Sequence, residues 1–220
     1  MAEEQLNDTE NPFDAETWAQ LPEFLEHLPE PVHLVVWGDE TAALRDKQAA
    51  ILCRALARRF ANIQFQMLPR RVNYDYWPVI GVMGGVAEDW RDFGARIIGL
   101  PDGYQMTSFI TAIQAVAFRG AAAETLTRIQ LAKLKQEVQL ELFVAADNEA
   151  GALMAQPLFN MAVANPHIRA FMVMADQFTT AVNRYSINYL PHTVINGRVH
   201  IEGVVDEETI LRHIARAIGA

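Results

Sequence analysis

The side chains in this sequence able to act as nucleophiles, acid–base groups or metal ligands fall into no spacing that marks a catalytic or metal site. Its single cysteine, Cys53, can form neither an intramolecular disulfide nor a cysteine-pair zinc site. Cys53 falls deep in a helical stretch, on a stripe with Ala49, Leu56, Ala57 and Phe60. It reads as an inert core thiol, because a reactive one needs a helix start or a cationic neighbour. Arg54 is next in sequence but points about 100° away around a helix. The six histidines, His27, His33, His167, His192, His200 and His213, show no ligand spacing such as two on one helix face, so no metal is expected. The only two serines, Ser108 and Ser186, lie outside any nucleophile elbow. Gly81-Val82-Met83-Gly84-Gly85 lacks the Lys and Ser/Thr of a phosphate loop and reads as a turn. Hydrolytic and phosphate chemistry have little to use, and no cofactor follows.

Composition narrows the partners. The chain has 220 residues, 51% hydrophobic and 20% charged, as expected of a folded globular protein. Its net charge of −9 is concentrated in residues 1–30, which hold nine acids (Glu3, Glu4, Asp8, Glu10, Asp14, Glu16, Glu23, Glu26 and Glu30) and no base. The remainder balances 18 acids against 18 bases. An acidic arm steers a protein away from phosphate backbones, so nucleic acid is not expected as a partner, whereas a basic protein surface would suit the arm. The clusters Arg58-Arg59 and Arg70-Arg71 read as a helix end and a solvated turn. No apolar run approaches the ~18 to 20 residues that cross a bilayer, and no cation opens a signal peptide. No membrane association is expected, and the cytoplasm is the expected compartment.

The elements that must position any site follow from periodicity. Residues 1–14 read as a loose acidic arm, and a short helix follows with Trp18, Leu21, Leu25 and Leu28 on one stripe. His33 to Trp37 reads as a buried strand, and Thr41 as the cap of a helix reaching Phe60. Asn62 to Leu68 alternates as a strand, which must lie parallel to the first because a helix separates them. Trp77 to Met83 is a proline-led strand, Phe93 to Leu100 its hairpin partner, and Tyr104 to Phe118 a helix. The order then returns. Ala121 to Lys135 reads as helical, Val138 to Val144 as a strand, and Asp147 as the cap of a helix to Ala164. His167 to Met174 is a strand, Asp176 to Tyr185 a short helix and Leu190 to Ile195 a second proline-led strand. Asn196-Gly197 signals a type I′ hairpin turn into Arg198 to Glu202, and Asp206 caps a last helix. Met154, Met161, Met172 and Met174 read as fillers between helix and sheet. A repeat of about 100 residues explains this length.

Two such units resemble the tandem thioredoxin-fold family, which includes the glutaredoxin-like protein disulfide oxidoreductases and the N-terminal domain of the alkyl hydroperoxide reductase flavoprotein. Arg96-Ile97-Ile98-Gly99-Leu100-Pro101-Asp102-Gly103-Tyr104 resembles the family's last strand and its entry into the closing helix. Leu190-Pro191-His192-Thr193-Val194-Ile195-Asn196-Gly197 resembles its cis-proline strand and hairpin. The implied fold is α/β, with two tandem thioredoxin-like (β-α-β-loop-β-β-α) domains over residues 15–120 and 121–220, each a mixed central sheet flanked by helices.

The family's reaction needs two thiols, two residues apart, at a helix start. In the second half those places fall on Asn148 and Gly151, or on Glu149 and Ala152 if Pro157 matches the family's kink proline. In the first half, Asp39, Glu40 and Thr41 occupy the loop. No register holds sulfur. By resemblance, Leu190-Pro191 and Trp77-Pro78 keep the cis geometry, and the residue before the proline offers backbone hydrogen bonds to an extended peptide or glutathione. His192 lies beside that place. The expected binding groove is therefore Asp147, Asn148, Glu149 and Gly151 with Leu190, Pro191 and His192, and a second one is Asp39, Glu40 and Thr41 with Trp77 and Pro78. The expected function is a redox-inactive scaffold, adaptor or complex subunit that binds a protein partner. The rival readings are self-association of the chain and a thiol-disulfide or glutathione-dependent oxidoreductase using Cys53 or a partner's thiol.

Overall fold

The computed structural model describes residues 12–86 and 89–219. Of the expected acidic arm, residues 1–11, with Glu3, Glu4, Asp8 and Glu10, lie outside the described residues. Residues 13 and 14 are not loose, in contrast to that expectation. Phe13 is buried with its ring 5.5 Å from that of Trp18, and the Asp14 carboxylate accepts the Thr17 N–H at 2.8 Å to cap α1 (Ala15–Leu25). The first half continues as β1 (Val32–Trp37), α2 (Leu44–Arg59), β2 (Ile63–Leu68), β3 (Val79–Gly84), β4 (Arg91–Ile98) and α3 (Gln105–Ala117). After α4 (Thr125–Leu131) come β5 (Val138–Val144), α5 (Glu149–Ala164), β6 (Ile168–Met174), α6 (Thr179–Arg184), β7 (His192–Ile195), β8 (Val199–Glu202) and α7 (Glu207–Ile218).

All eight strands form one sheet in the order β2-β1-β3-β4-β6-β5-β7-β8. In each half the first two strands are parallel and the proline-led strand returns antiparallel, as the helical crossovers require. The two mixed sets of four are joined edge to edge by a parallel seam from Ala95 opposite Ala170 to Ile98 opposite Val173. On one face, α2, α3, α5 and α7 cover the larger core, which includes Leu34, Leu56, Phe109, Ile113, Phe159 and Ile214. On the other, α6 and the segment carrying Tyr74 and Trp77 cover a smaller core around Trp37, Phe143 and Val194. Burying each such side chain contributes about 1.5–3 kcal/mol.

Local signals held where they needed no distant partner and failed where they did. Asp206 caps α7 through the Thr209 N–H at 2.8 Å, and Asn196 and Gly197 take the positive φ of the expected turn, 50° and 69°. Thr41 does not cap α2. The Asp39 carboxylate takes the Thr41 N–H, hydroxyl and Ala42 N–H, and the helix starts only at Leu44. Asp147 does not cap α5, whose N-cap is Asn148, without a side-chain cap bond. The helix expected over Ala121–Lys135 shrinks to α4, because Arg119 and Gly120 end α3 in left-handed backbone and the chain turns before restarting.

The seam sets α3 beside α5, so the start of α3 touches the loop between β5 and α5. Tyr104 N–H donates to Ala146 C=O at 2.9 Å. Gly103 makes this approach with φ +54°, and a Cβ there would stand 2.3 Å from the Ala146 oxygen. Gly103→Ala is therefore expected to lower unfolding free energy by about 1–3 kcal/mol through strain and contact together. Urea denaturation checks this, and an unchanged midpoint would show that the 145–148 loop yields freely.

Candidate functional site

In the second half the structure brings the loop at the start of α5 against the proline-led strand. The Leu190-Pro191 bond is cis, and the Asn148 side-chain amide donates to the Leu190 carbonyl at 3.3 Å. The acceptor that the family resemblance would offer to a peptide is thus occupied from within. Asp147 and Glu149 are exposed beside it. Gly151 is buried, and a Cβ there would meet Val144 Cγ1 at 2.6 Å and Asn148 Oδ1 at 2.8 Å, so a side chain at this position would have to displace both. Beneath the loop lies Gln105, which sequence reasoning missed because a glutamine at a helix start carries no signal. It is buried, donates to Ala145 and Asn148 carbonyls at 2.9 and 2.8 Å, and accepts from Ser108 Oγ at 2.9 Å.

In the first half Trp77-Pro78 is also cis. Here a second missed residue, Asp46, holds the loop. Its buried carboxylate takes the Asp39 N–H at 2.6 Å and the Arg70 guanidinium at 2.9 Å, and that guanidinium lies 5.3 Å from the Trp77 ring. Asp39, Thr41 and Trp77 are therefore brought together through Asp46 and Arg70, while Glu40 turns away to pair with Arg54 at 2.9 Å. The Thr41 hydroxyl, then its N–H, holds the Asp39 carboxyl below its usual range. An acid in the first turn of a helix reads as dipole complementation; the burial of Asp46 is tertiary.

His192 is buried and forms a pair that was not foreseen. Its Nε2 lies 2.8 Å from His200 Nδ1, and the His200 ring stands edge-on to Tyr185, whose hydroxyl donates to Glu141 at 2.8 Å. A two-residue turn would set His200 opposite Thr193. The observed register sets His200 opposite Val194 and Val199 opposite Ile195, with Arg198 as an extra residue. That single added residue carries His200 to the face of His192. Burial, then the bond to Glu141, pushes Tyr185 up to about 12, and burial raises Glu141 despite that bond. The pairs His192–His200 and Tyr185–Glu141 meet only through the rings of His200 and Tyr185, and Glu141 and Tyr185 line an open polar groove of about 560 Å³ with Glu137, Gln139 and Arg169.

Cys53 is 0% exposed on the core side of α2, and burial pushes its thiol far up against the opposing charge of Arg54. Among the described residues no three His, Cys, Asp or Glu side chains are grouped to hold a metal ion, and no helix is long and apolar enough to cross a membrane. A thiol reagent is expected to leave Cys53 unmodified in the native chain and to label it on unfolding; rapid native labelling would contradict the burial. His192 is held below its ordinary 6.5 by burial, then by the charge of His200. The folded state accordingly binds fewer protons there than the unfolded chain, so this stability is complete above 6.5 and is lost as pH falls below it. Between about pH 7.5 and about pH 5 the wild type is expected to lose more stability than His192→Gln, read as urea midpoints; parallel losses would remove His192 from the account.

A family model described as a thioredoxin domain matches residues 153–215. An alkyl hydroperoxide reductase subunit of Pseudomonas putida is 24% identical over 209 residues, 94% of this chain and 38% of the relative. An NADH dehydrogenase of Bacillus subtilis is 24% identical over 90% of this chain and 37% of its own length. The chain thus spans less than two fifths of these relatives. The crystal structure of the NTD_N/C domain of alkylhydroperoxide reductase AhpF from Enterococcus faecalis superposes with a TM-score of 0.82 at 19% identity, covering 92% of this chain and 100% of that one. A protein disulfide oxidoreductase from Aeropyrum pernix superposes with a TM-score of 0.80 at 17% identity, covering 96% of each chain. The eight-stranded sheet, its two cis-proline strands and these likenesses together make the chain a tandem thioredoxin-fold protein with no CxxC motif in either half.

Proposed function

We propose that this chain works by holding a protein partner, as a scaffold, adaptor or complex subunit in the cytoplasm, and not by exchanging thiols. One observation carries the reading: the only thiol is sealed in the core, while the loops facing the two cis prolines hold Asp39, Glu40 and Thr41 in one half and Asp147, Asn148 and Glu149 in the other. Thiol exchange needs an accessible thiolate, and neither loop supplies one. The Pseudomonas putida relative is named as a subunit, which agrees with a part that acts inside an assembly. The exposed carboxylates of Asp147 and Glu149, beside Leu190 and Pro191, favour a partner with a basic contact, and the domain division at residues 120 and 121 sets the two loops on separate repeats.

A reductase assay on disulfide substrates tests the inactive half of this reading. Turnover is expected at the rate without protein, both for wild type and for Cys53→Ala; turnover that Cys53→Ala abolishes would replace it with the oxidoreductase. The binding half is tested by capturing a partner on the immobilised chain and measuring its affinity. Asp147→Lys with Glu149→Lys is expected to weaken that affinity about tenfold or more, and an unchanged value would move the contact elsewhere.

A further inference from the structure

Among the described residues no strand lies beside the outer edge of β2, at one end of the sheet. The ladder to β1 decides which of its backbone groups are in use. At its two ends the Asn62 carbonyl accepts from Val32 N–H at 2.8 Å and the Leu68 carbonyl from Gly38 N–H at 3.0 Å. The even positions therefore turn N–H and C=O toward β1, and Phe65 and Met67 turn both of theirs outward. Natural edges are blunted by lysine, proline, a bulge or brevity. Ile63-Gln64-Phe65-Gln66-Met67-Leu68 runs six residues without charge, proline or a break in register. The molecule also shows what such an edge accepts. At the same place in the second half, β6 receives β4 as a parallel neighbour.

Charge says what kind of strand would come. Residues 41–71 carry Arg45, Lys47, Arg54, Arg58, Arg59, Arg70 and Arg71 against one acid, Asp46, in a chain whose net charge is −9. Asp46 is buried and paired with Arg70. The Arg54 guanidinium, which also meets Glu40, lies 5.3 Å from the Phe65 ring, so its stripe of α2 runs along β2. Lys47 and Arg58, seven residues before it and four after, share that stripe by helical spacing. We propose that the β2 edge takes an extended acidic segment of a partner protein as an added strand. The partner's main chain bonds Phe65 and Met67, and its carboxylates face Lys47, Arg54 and Arg58. A second copy would set these cations against their like, and a nucleic acid would leave the outward N–H and C=O groups unused. The proposal makes no use of the cis-proline faces and stands whether or not they bind.

The probe is an end-blocked octapeptide alternating glutamate with valine, compared with its lysine–valine counterpart. The acidic peptide is expected to bind at least about tenfold tighter, to lose that margin against Lys47→Glu with Arg58→Glu, and to slow amide exchange at Phe65 and Met67. Met67→Pro removes an outward N–H and no ladder bond, and is expected to weaken binding about tenfold. If that variant unfolds, charge reversal and amide exchange still decide. No binding, equal binding of both peptides, or protection at residues 148–151 instead would overturn the proposal. So would displacement of the acidic peptide by an equimolar short oligonucleotide, or a wild-type dimer that Met67→Pro dissociates.

Discussion

The loop at the start of α5 depends on the parallel seam between β4 and β6. Four residue pairs, from Ala95 opposite Ala170 to Ile98 opposite Val173, turn two small sheets into one. Gln177 then clasps both backbone groups of Leu100, at 2.9 and 2.7 Å, just past the end of β4. Once the strands are joined, α3 has to lie along α5, and Gly103, Tyr104 and Gln105 are brought under the loop of the other half. The loop that in the fold's redox members would carry thiols is here a packed joint between repeats. Its carbonyls at 145, 146 and 148 are already taken by Gln105 and Tyr104.

The two halves reach a similar outcome by different means. In the second, a neutral amide network of Gln105, Ser108 and Asn148 fills the space beneath the loop and ends on the Leu190 carbonyl. In the first, a buried carboxylate does it: Asp46 binds the loop's N–H and a guanidinium that reaches the cis-proline strand. A buried charge persists only when paired, and Arg70 meets that demand. The hydrogen-bonded pairs Glu141–Tyr185 and His192–His200 occupy the opposite face of the sheet, where α6 only partly covers them.

Much of the fold was legible because its signals were local. The two proline-led strands, the Asn196-Gly197 turn and the Asp206 cap each rest on a few neighbouring residues whose backbone preferences do not depend on the rest of the chain. The absence of paired cysteines was likewise plain, because a four-residue motif is read directly from the sequence. Misreadings gathered where two segments compete for one group. Thr41 and Asp147 looked like caps, but Asp39 drew the Thr41 hydroxyl away, and Asn148 turned its amide to a strand 42 residues on.

The sequence by itself determined the repeat, the type of nearly every element and the lack of a CxxC motif, since hydrophobic period, turn residues and cysteine count are properties of short windows or of composition. Only the tertiary structure decided that the two sheets merge, that Gln105 and Asp46 lie under the loops, and that His192 meets His200. The physical reason is that each of these depends on register. Pairing between distant strands is chosen by the total burial it achieves, and a shift of one residue, such as that introduced at Arg198, exchanges the faces on which every later side chain of the strand appears.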